Sequence, residues 1–376
     1  MFRICYTHTH LSRVPPSDPP SREPATVIAR ALHRRLPERI QGAGTLYLWL
    51  RPGRAAARIA GRLRETARAH DLIDSCARIP LREREVQICI AELIDAIEPY
   101  EAEQTRALFM SGDREPELPD FARMTTLHAL DVLAQSGWLL DQMAEGRFTS
   151  FFHPIVHAND VTRVYAHEAL LRGVERDGSL VAPQPILTLA RAAGLLGEVD
   201  FAAVRAAIRE TARHGPDTSV FINFTPAAVQ DPDASLRSVL GAIDEAGLPR
   251  ERVVFEVVEA DRFDDVALLD KVLHAYRSAG FRVALDDLGA GWSTLNLVHR
   301  VRPDFIKLDR ELIRGVHNDP VKALIAKKLL EIGRGMGIGT IVEGIEEEAE
   351  LRFVREHGAD FVQGFLLGRP APVARS

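Results

Sequence analysis

Carboxylates and amides recur at one kind of place in the C-terminal part of this 376-residue chain, at or just after short apolar runs. Asn223 ends VFIN, Glu256 and Glu259 close VVFEVVE, and Asp286 and Asp287 follow VAL. Lys307 and Asp309 lie in FIKLD, Glu343 follows TIV, and Gln363 follows FV. Carboxylates packed together repel one another strongly when dry and unpaired. They coexist most easily around divalent cations, and all-oxygen ligation by Asp, Glu and Asn suits Mg²⁺ or Mn²⁺ rather than zinc. A lysine among them points to a phosphorylated substrate or to charge balance at a reacting water. Each residue alone has a plainer reading. A single Glu after a strand is more often a helix cap or surface charge, and Asp-Asp before Gly-x-Gly can be turn chemistry. Repetition at the same end of successive runs is what argues for a site.

The elements that must carry these residues are short β-rich runs at 151–156, 165–171, 220–223, 253–258, 283–285, 305–308, 340–342 and 361–365. Between most of them lie amphipathic stretches of helix length, at 199–213, 234–246, 265–279, 321–336 and 347–357. Strands alternating with helices predict βαβ units around a parallel sheet. So many repeats in so short a span fit a (β/α) barrel better than an open sheet, and in a barrel the C-terminal strand ends converge on one face.

Read in order, the chain shows FHPIV (152–156), EALLR (168–172), NFTP (223–226), FEVVE (255–259), DDLGAGWSTL (286–295), FIKLD (305–309), VEGIE (342–346) and QGFLLGRP (363–370). This series resembles the EAL domain, the family that hydrolyses cyclic di-GMP to linear pGpG, over roughly residues 147–371. EAL alone is a weak tripeptide; eight motifs in order are highly specific. The resemblance implies a TIM-like (β/α)8 barrel using two Mg²⁺ or Mn²⁺ ions. Glu168, Asn223, Glu256 and Asp286 would ligate the first metal, and Asp286 would bridge to the second, which Asp287 also holds. Lys307 would neutralise charge near the attacking water, Glu343 would order the water shell of the metal site, and Gln363 lies beside it. Arg172 matches an arginine that contacts a phosphate oxygen. Glu259 matches the anchor of the loop after Asp287, a loop that in the family links the metal site to a dimer contact. A homodimer through the barrel is therefore expected. The chain departs from the family at His153, where glutamine is usual, and at Leu288, Ala290 and Trp292 in the loop. His153 is expected to modify metal occupancy or pH dependence, and no departure removes a metal ligand. Two alternatives are a barrel that binds cyclic di-GMP without cleaving it and one that cleaves another phosphodiester, such as a glycerol-linked one.

Ahead of the barrel, residues 1–145 predict a smaller, mainly helical α+β domain of no evident family, expected to sense, regulate or dimerise by analogy alone. By the same resemblance residues 146–376 are expected to form the catalytic domain. One strand is expected at 45–50 and helices at 54–72, 81–97 and 121–143. SRVPPSDPPSREPA (12–25) reads as extended and solvated, so residues 1–25 are expected to be flexible. Residues 1–70 hold thirteen arginines and no lysine, and Arg54, Arg58 and Arg62 recur along one helix face. Without a DNA-binding motif or interleaved aromatics, that face predicts a solvated surface rather than a nucleic-acid or membrane contact. Cys5, Cys76 and Cys89 form no CxxC pair, and Cys5, His8 and His10 have no second ligand pair at zinc-finger spacing. With neither a signal-peptide core nor an apolar run of membrane length, a cytoplasmic protein is expected.

Overall fold

The computed structural model describes residues 40, 42–214, 218–226, 229, 231–258, 266–288 and 294–373. Residues 1–25, with Cys5, His8 and His10, lie outside the described residues. The chain divides into two compact units. Among the described residues, one holds residues 40–144 together with Gln184–Leu196, and the other holds Glu145–Pro183 and the chain from Gly197 onward.

In the smaller unit the elements are β1 (Gly44–Trp49), α1 (Arg54–Glu65), β2 (Asp71–Ile73), β3 (Cys76–Leu81), α2 (Val86–Asp95), α3 (Pro99–Gln104), β4 (Arg106–Ser111), β5 (Thr125–Thr126), α4 (Leu127–Gln135) and α5 (Gly137–Ala144). The sheet is antiparallel in the order β2-β3-β1-β4-β5, a split βαββαβ arrangement with β1 and β3 inside. Alternation along β1 sorts its side chains. Leu46 and Leu48 join Ile79, Phe109 and the apolar faces of α1, α2 and α4, while Tyr47 lies with Leu108 and Met110. The sequence predicts one strand here, and the described residues form five. β3 alternates regularly, with Ala77, Ile79 and Leu81 buried, but its outward Pro80 is an unusual strand residue, and in β4 four successive residues, Ala107 to Met110, are all buried. The helix expected over 121–143 is broken at Ser136, whose hydroxyl bonds the Leu133 carbonyl at 2.9 Å just before Gly137. The basic face of α1 is partly neutralised within this unit: Arg58 pairs with Glu98 (3.5 Å) and Glu101, and Arg62 with Glu65 (3.5 Å).

The larger unit runs β6 (Phe148–His157), β7 (Val164–Val174), β8 (Leu180–Val181), α6 (Pro183–Ala192), α7 (Leu196–His214), β9 (Ser219–Phe224), α8 (Pro232–Ala246), β10 (Val253–Val257), α9 (Val266–Ser278), β11 (Arg282–Leu288), α10 (Thr294–Val301), β12 (Phe305–Leu308), α11 (Arg310–Ile313), α12 (Pro320–Met336), β13 (Gly339–Val342), α13 (Glu348–Glu356) and β14 (Phe361–Val362), with α6 lying mostly in the segment that groups with the smaller unit. Eight strands close in the order β6-β14-β13-β12-β11-β10-β9-β7, with β7 paired back to β6. This is a TIM-like barrel in which β6 runs antiparallel to both neighbours and the other contacts round the ring are parallel. Local sequence sets the helix ends. α8 and α12 both open with an Asp-Pro pair whose carboxylate caps the first turn, and both stop at a left-handed glycine, Gly247 and Gly337. No helix among the described residues is long and apolar enough to cross a membrane.

The strand period of two layers the barrel interior. Each strand gives one apolar residue to a central cluster: Ile155, Ala166, Phe221, Val254, Ala284, Phe305, Ile341 and Phe361. Two residues further toward the C-terminal mouth, the same faces carry His153 (on the reversed β6), Glu168, Asn223, Glu256, Asp286, Lys307, Glu343 and Gln363. Two residues the other way, Arg282 donates to Ser219 Oγ (2.6 Å) and to Tyr165 Oη (3.3 Å), and its guanidinium lies 5.4 Å from the Phe305 ring centroid. We predict that Arg282→Ala lowers stability by about 2 kcal/mol, through lost charged hydrogen bonds and the cation–π contact. Urea unfolding checks this; an unchanged midpoint would contradict the role given to Arg282.

Candidate active site

Lys307 projects from β12 into the polar layer and is 1% exposed. Its ammonium touches Glu256 and Glu343 directly and lies 3.5 Å from Asp286 and 3.7 Å from Glu168. Four strands and the turn after β13 thus deliver one cation and four carboxylates to a single point. Backbone ladders set their heights. Asn223 is level with Glu256 across β9 and β10, and Glu168 is level with His153 across β6 and β7. The Glu343 amide bonds the Leu308 carbonyl (3.1 Å), and the Gln363 amide bonds the Val342 carbonyl (2.9 Å).

Consecutive strand residues normally face opposite sides, so Asp286 and Asp287 could not both serve one site on a regular strand. The β11–β12 register shifts between Leu285 and Leu288, and Asp287 has φ of 54°. A bulge of this kind re-aims a side chain beside a site. Asp287 comes to lie beside Asp309, which also caps α11 by accepting the Glu311 amide at 2.7 Å.

Glu168 is fixed on both oxygens: Asn223 Nδ2 donates to Oε1 at 3.1 Å and Gln363 Nε2 to Oε2 at 2.9 Å. Burial opposes its charge, but Lys307, Asn223 and Gln363 outweigh it and hold the carboxyl below the usual carboxylate range. Its neighbours go the other way. Burial and the charge of Asp286 push Glu256 well up, and burial pushes Glu343 up to about 8 against the pull of Lys307. Asp287, although its surface faces solvent, loses hydration to the protein around it and rises to about 7 with help from Asp286 and Asp309. Burial works against the Lys307 charge too, yet the four carboxylates raise its pKa well above the ordinary lysine value. The cluster is short of positive charge.

That shortfall is what a divalent cation would fill. Glu256, Asp286 and Glu343 offer oxygens that all lie within 4.8 Å of one another. Glu256 Oε2 is buried without a hydrogen-bond partner among the described residues. An orphaned carboxylate oxygen beside further oxygen donors is the donor set of a hard cation.

Two other expected residues sit at the edge. Arg172 rests on the Phe151 ring (5.1 Å) and donates to the Leu171 carbonyl (2.7 Å) rather than to an acid of the cluster. His153 Nε2 lies 3.1 Å from the Gly368 carbonyl oxygen, and its ring is 6.0 Å from that of Phe365. Burial lowers the His153 pKa, so the neutral ring with Nε2–H donating fits that contact. Leu288 is buried, whereas Glu259, Ala290 and Trp292 lie outside the described residues. Motif reading missed Asp200, on α7, which accepts the Thr225 hydroxyl at 2.9 Å and the Thr225 amide at 3.3 Å. The threonine two residues after Asn223 was the available signal.

Fold and site together define a barrel with an acidic mouth whose oxygen donors suit a hard cation. The EAL domain family model matches residues 136–370, and the chain belongs to that family. A crystal structure of a standalone EAL protein from Vibrio cholerae O395, in its c-di-GMP-bound form, is 30% identical; the match covers 61% of this chain and 94% of that one, with a TM-score of 0.55. An uncharacterised Sinorhizobium fredii protein is 27% identical over 62% of this chain. The Pseudomonas aeruginosa bifunctional diguanylate cyclase/cyclic di-GMP phosphodiesterase MucR is 30% identical over 54% of this chain. These matches span only 28% and 30% of those two longer relatives.

Lys307→Met leaves four carboxylates around an apolar side chain. We predict a loss of about 3–5 kcal/mol in EDTA, the cost of breaking a buried ion pair, with Mn²⁺ restoring most of it. Chemical denaturation in EDTA and in Mn²⁺ measures both; equal stability of variant and parent in EDTA would contradict the charge balance described.

Proposed function

We propose that this chain hydrolyses cyclic di-GMP to linear pGpG with two Mg²⁺ or Mn²⁺ ions. The observation that carries this is the charge-deficient cluster around Lys307, with every ligand position of the family filled. Glu168, Asn223, Glu256 and Asp286 would hold the first ion, and Asp286 and Asp287 the second. Bound there, the ions would polarise a phosphate and lower the pKa of a water.

The protein's own part follows from its electrostatics. Lys307, kept protonated by four carboxylates, acts as a fixed cation and hydrogen-bond donor beside the attacked phosphate rather than as a base. Glu343 is pinned to Lys307 and orders water at the mouth. Asn223 and Gln363 spend their amide hydrogens on Glu168, which fixes its oxygens in one orientation and keeps it ionised. Arg172, on the same strand face four residues beyond Glu168, is the phosphate-binding arginine; its guanidinium is held on Phe151 at 5.1 Å, with donors left to meet an anion. His153 braces the loop after β14 through Gly368.

In this reading residues 146–376 are the catalytic domain, and the barrel pairs with a second copy of itself. Residues 1–145 supply a regulatory input. The family resemblance supports these further points, each open to test by sedimentation and by truncation.

The purified chain is expected to release pGpG from cyclic di-GMP with Mg²⁺ or Mn²⁺, followed by chromatography. EDTA should abolish turnover, and so should Glu168→Ala in a protein that still folds. Turnover at the parental rate in either case would sink the metal mechanism. Tight binding of cyclic di-GMP without cleavage would make the chain a receptor instead.

A further inference from the structure

One ionisable side chain near the mouth has no role in the chemistry above. Asp200 lies on α7, outside the polar layer, half-buried and in no ion pair among the described residues. Desolvation pushes its carboxyl up to about 6, with the two Thr225 hydrogen bonds pulling the other way. A carboxylate that gives up water without a cation is costly. At this position the cost secures one thing: both hydrogen-bond donors of Thr225 are bound to α7, Oγ1 at 2.9 Å and the backbone amide at 3.3 Å.

Thr225 is the first residue beyond β9, two residues after Asn223. The strand ladder to β10 reaches Phe224, opposite Val257, and the Val258 amide bonds the Phe224 carbonyl at 3.2 Å. Among the described residues the ladder goes no further, and the Asp200 clasp holds the backbone in its place. Asn223 needs such support because its amide must hold one orientation, Nδ2 toward Glu168 Oε1 at 3.1 Å, so that its carbonyl oxygen is free for a cation. We propose that Asp200 is a positioning residue: its clasp on Thr225 fixes the end of β9 and with it the orientation of the Asn223 carboxamide in the metal site. The inference rests on the metal-site reading of Asn223. It gives a helix on the outside of the barrel a direct hold on one ligand.

The chain has four asparagines, so the full-length protein labelled with ¹⁵N-asparagine gives a readable side-chain amide spectrum without metal or substrate. Asn223→Gln identifies the Asn223 pair by its disappearance. In Asp200→Ala and in Thr225→Val that pair is expected to shift or broaden while the other three stay in place. Mn²⁺ affinity, measured by calorimetry, should fall about 10–100-fold, as when the partners that orient a metal ligand are lost. Asp200→Asn, which keeps an acceptor for the threonine, should recover part of that loss. The Asp200→Ala, Thr225→Val double variant should bind Mn²⁺ no worse than either single variant, because both remove the same contact. An unmoved Asn223 pair with parental Mn²⁺ affinity would overturn the assignment, even if the melting temperature dropped. If the parent neither bound Mn²⁺ nor cleaved cyclic di-GMP, the proposed function would fail separately, and the spectrum would still decide the Asp200 clasp.

Discussion

One buried lysine surrounded by four carboxylates sets the terms for the barrel mouth. Glu168, Glu256, Asp286 and Glu343 all lie within 4 Å of the Lys307 ammonium, and a single positive charge cannot neutralise them. The raised carboxyl groups of Glu256 and Glu343 express that deficit. A fold evolved for stability alone would replace such a cluster with apolar side chains, often at no loss. Its retention makes sense if positive charge arrives from outside, and divalent ions bring it with the oxygen ligation these side chains offer.

The barrel supplies the geometry at little extra cost in sequence. An apolar residue from each strand fills the centre, and the residue two positions nearer the mouth is polar on all eight strands. Strand closure does the rest by bringing residues as distant as Glu168 and Gln363 into hydrogen-bond contact at 2.9 Å. Two local devices depart from the repeat. The antiparallel β6 enters from the opposite direction, so His153 precedes its apolar partner Ile155 where the other strands have the reverse order. The bulge at Asp287 breaks the alternation between two adjacent aspartates.

Much of this was legible before any coordinates. Runs such as Phe305-Ile-Lys307 and Ile341-Val-Glu343 announce both the strand and the polar residue at its end, because a period of two ties them to one face. The ordered motif series made Glu168 and Arg172 visible where position alone did not. What escaped was tertiary in origin. β3 does alternate, with Ala77, Ile79 and Leu81 buried, but a proline at 80 argues against a strand in sequence; in β4 burial on both faces flattens the pattern. The ion pairs that occupy Arg58 depend on which acids folding brings near, and Asp200 reads as an ordinary helix residue until Thr225 is placed against it. Asp287's bulge also could not be read from Asp-Asp, which is equally at home in a turn.

On the proposed function, the Lys307 cluster is an incomplete site that divalent cations would complete. A crystal of the full chain soaked in Mn²⁺ and measured at the manganese absorption edge tests it most directly. Two anomalous peaks about 3.5–4 Å apart are expected at the barrel mouth, ligated by Glu168, Asn223, Glu256, Asp286 and Asp287, with Lys307 beside them. A barrel mouth without a manganese peak, Lys307 still holding the four carboxylates at saturating Mn²⁺, would contradict it.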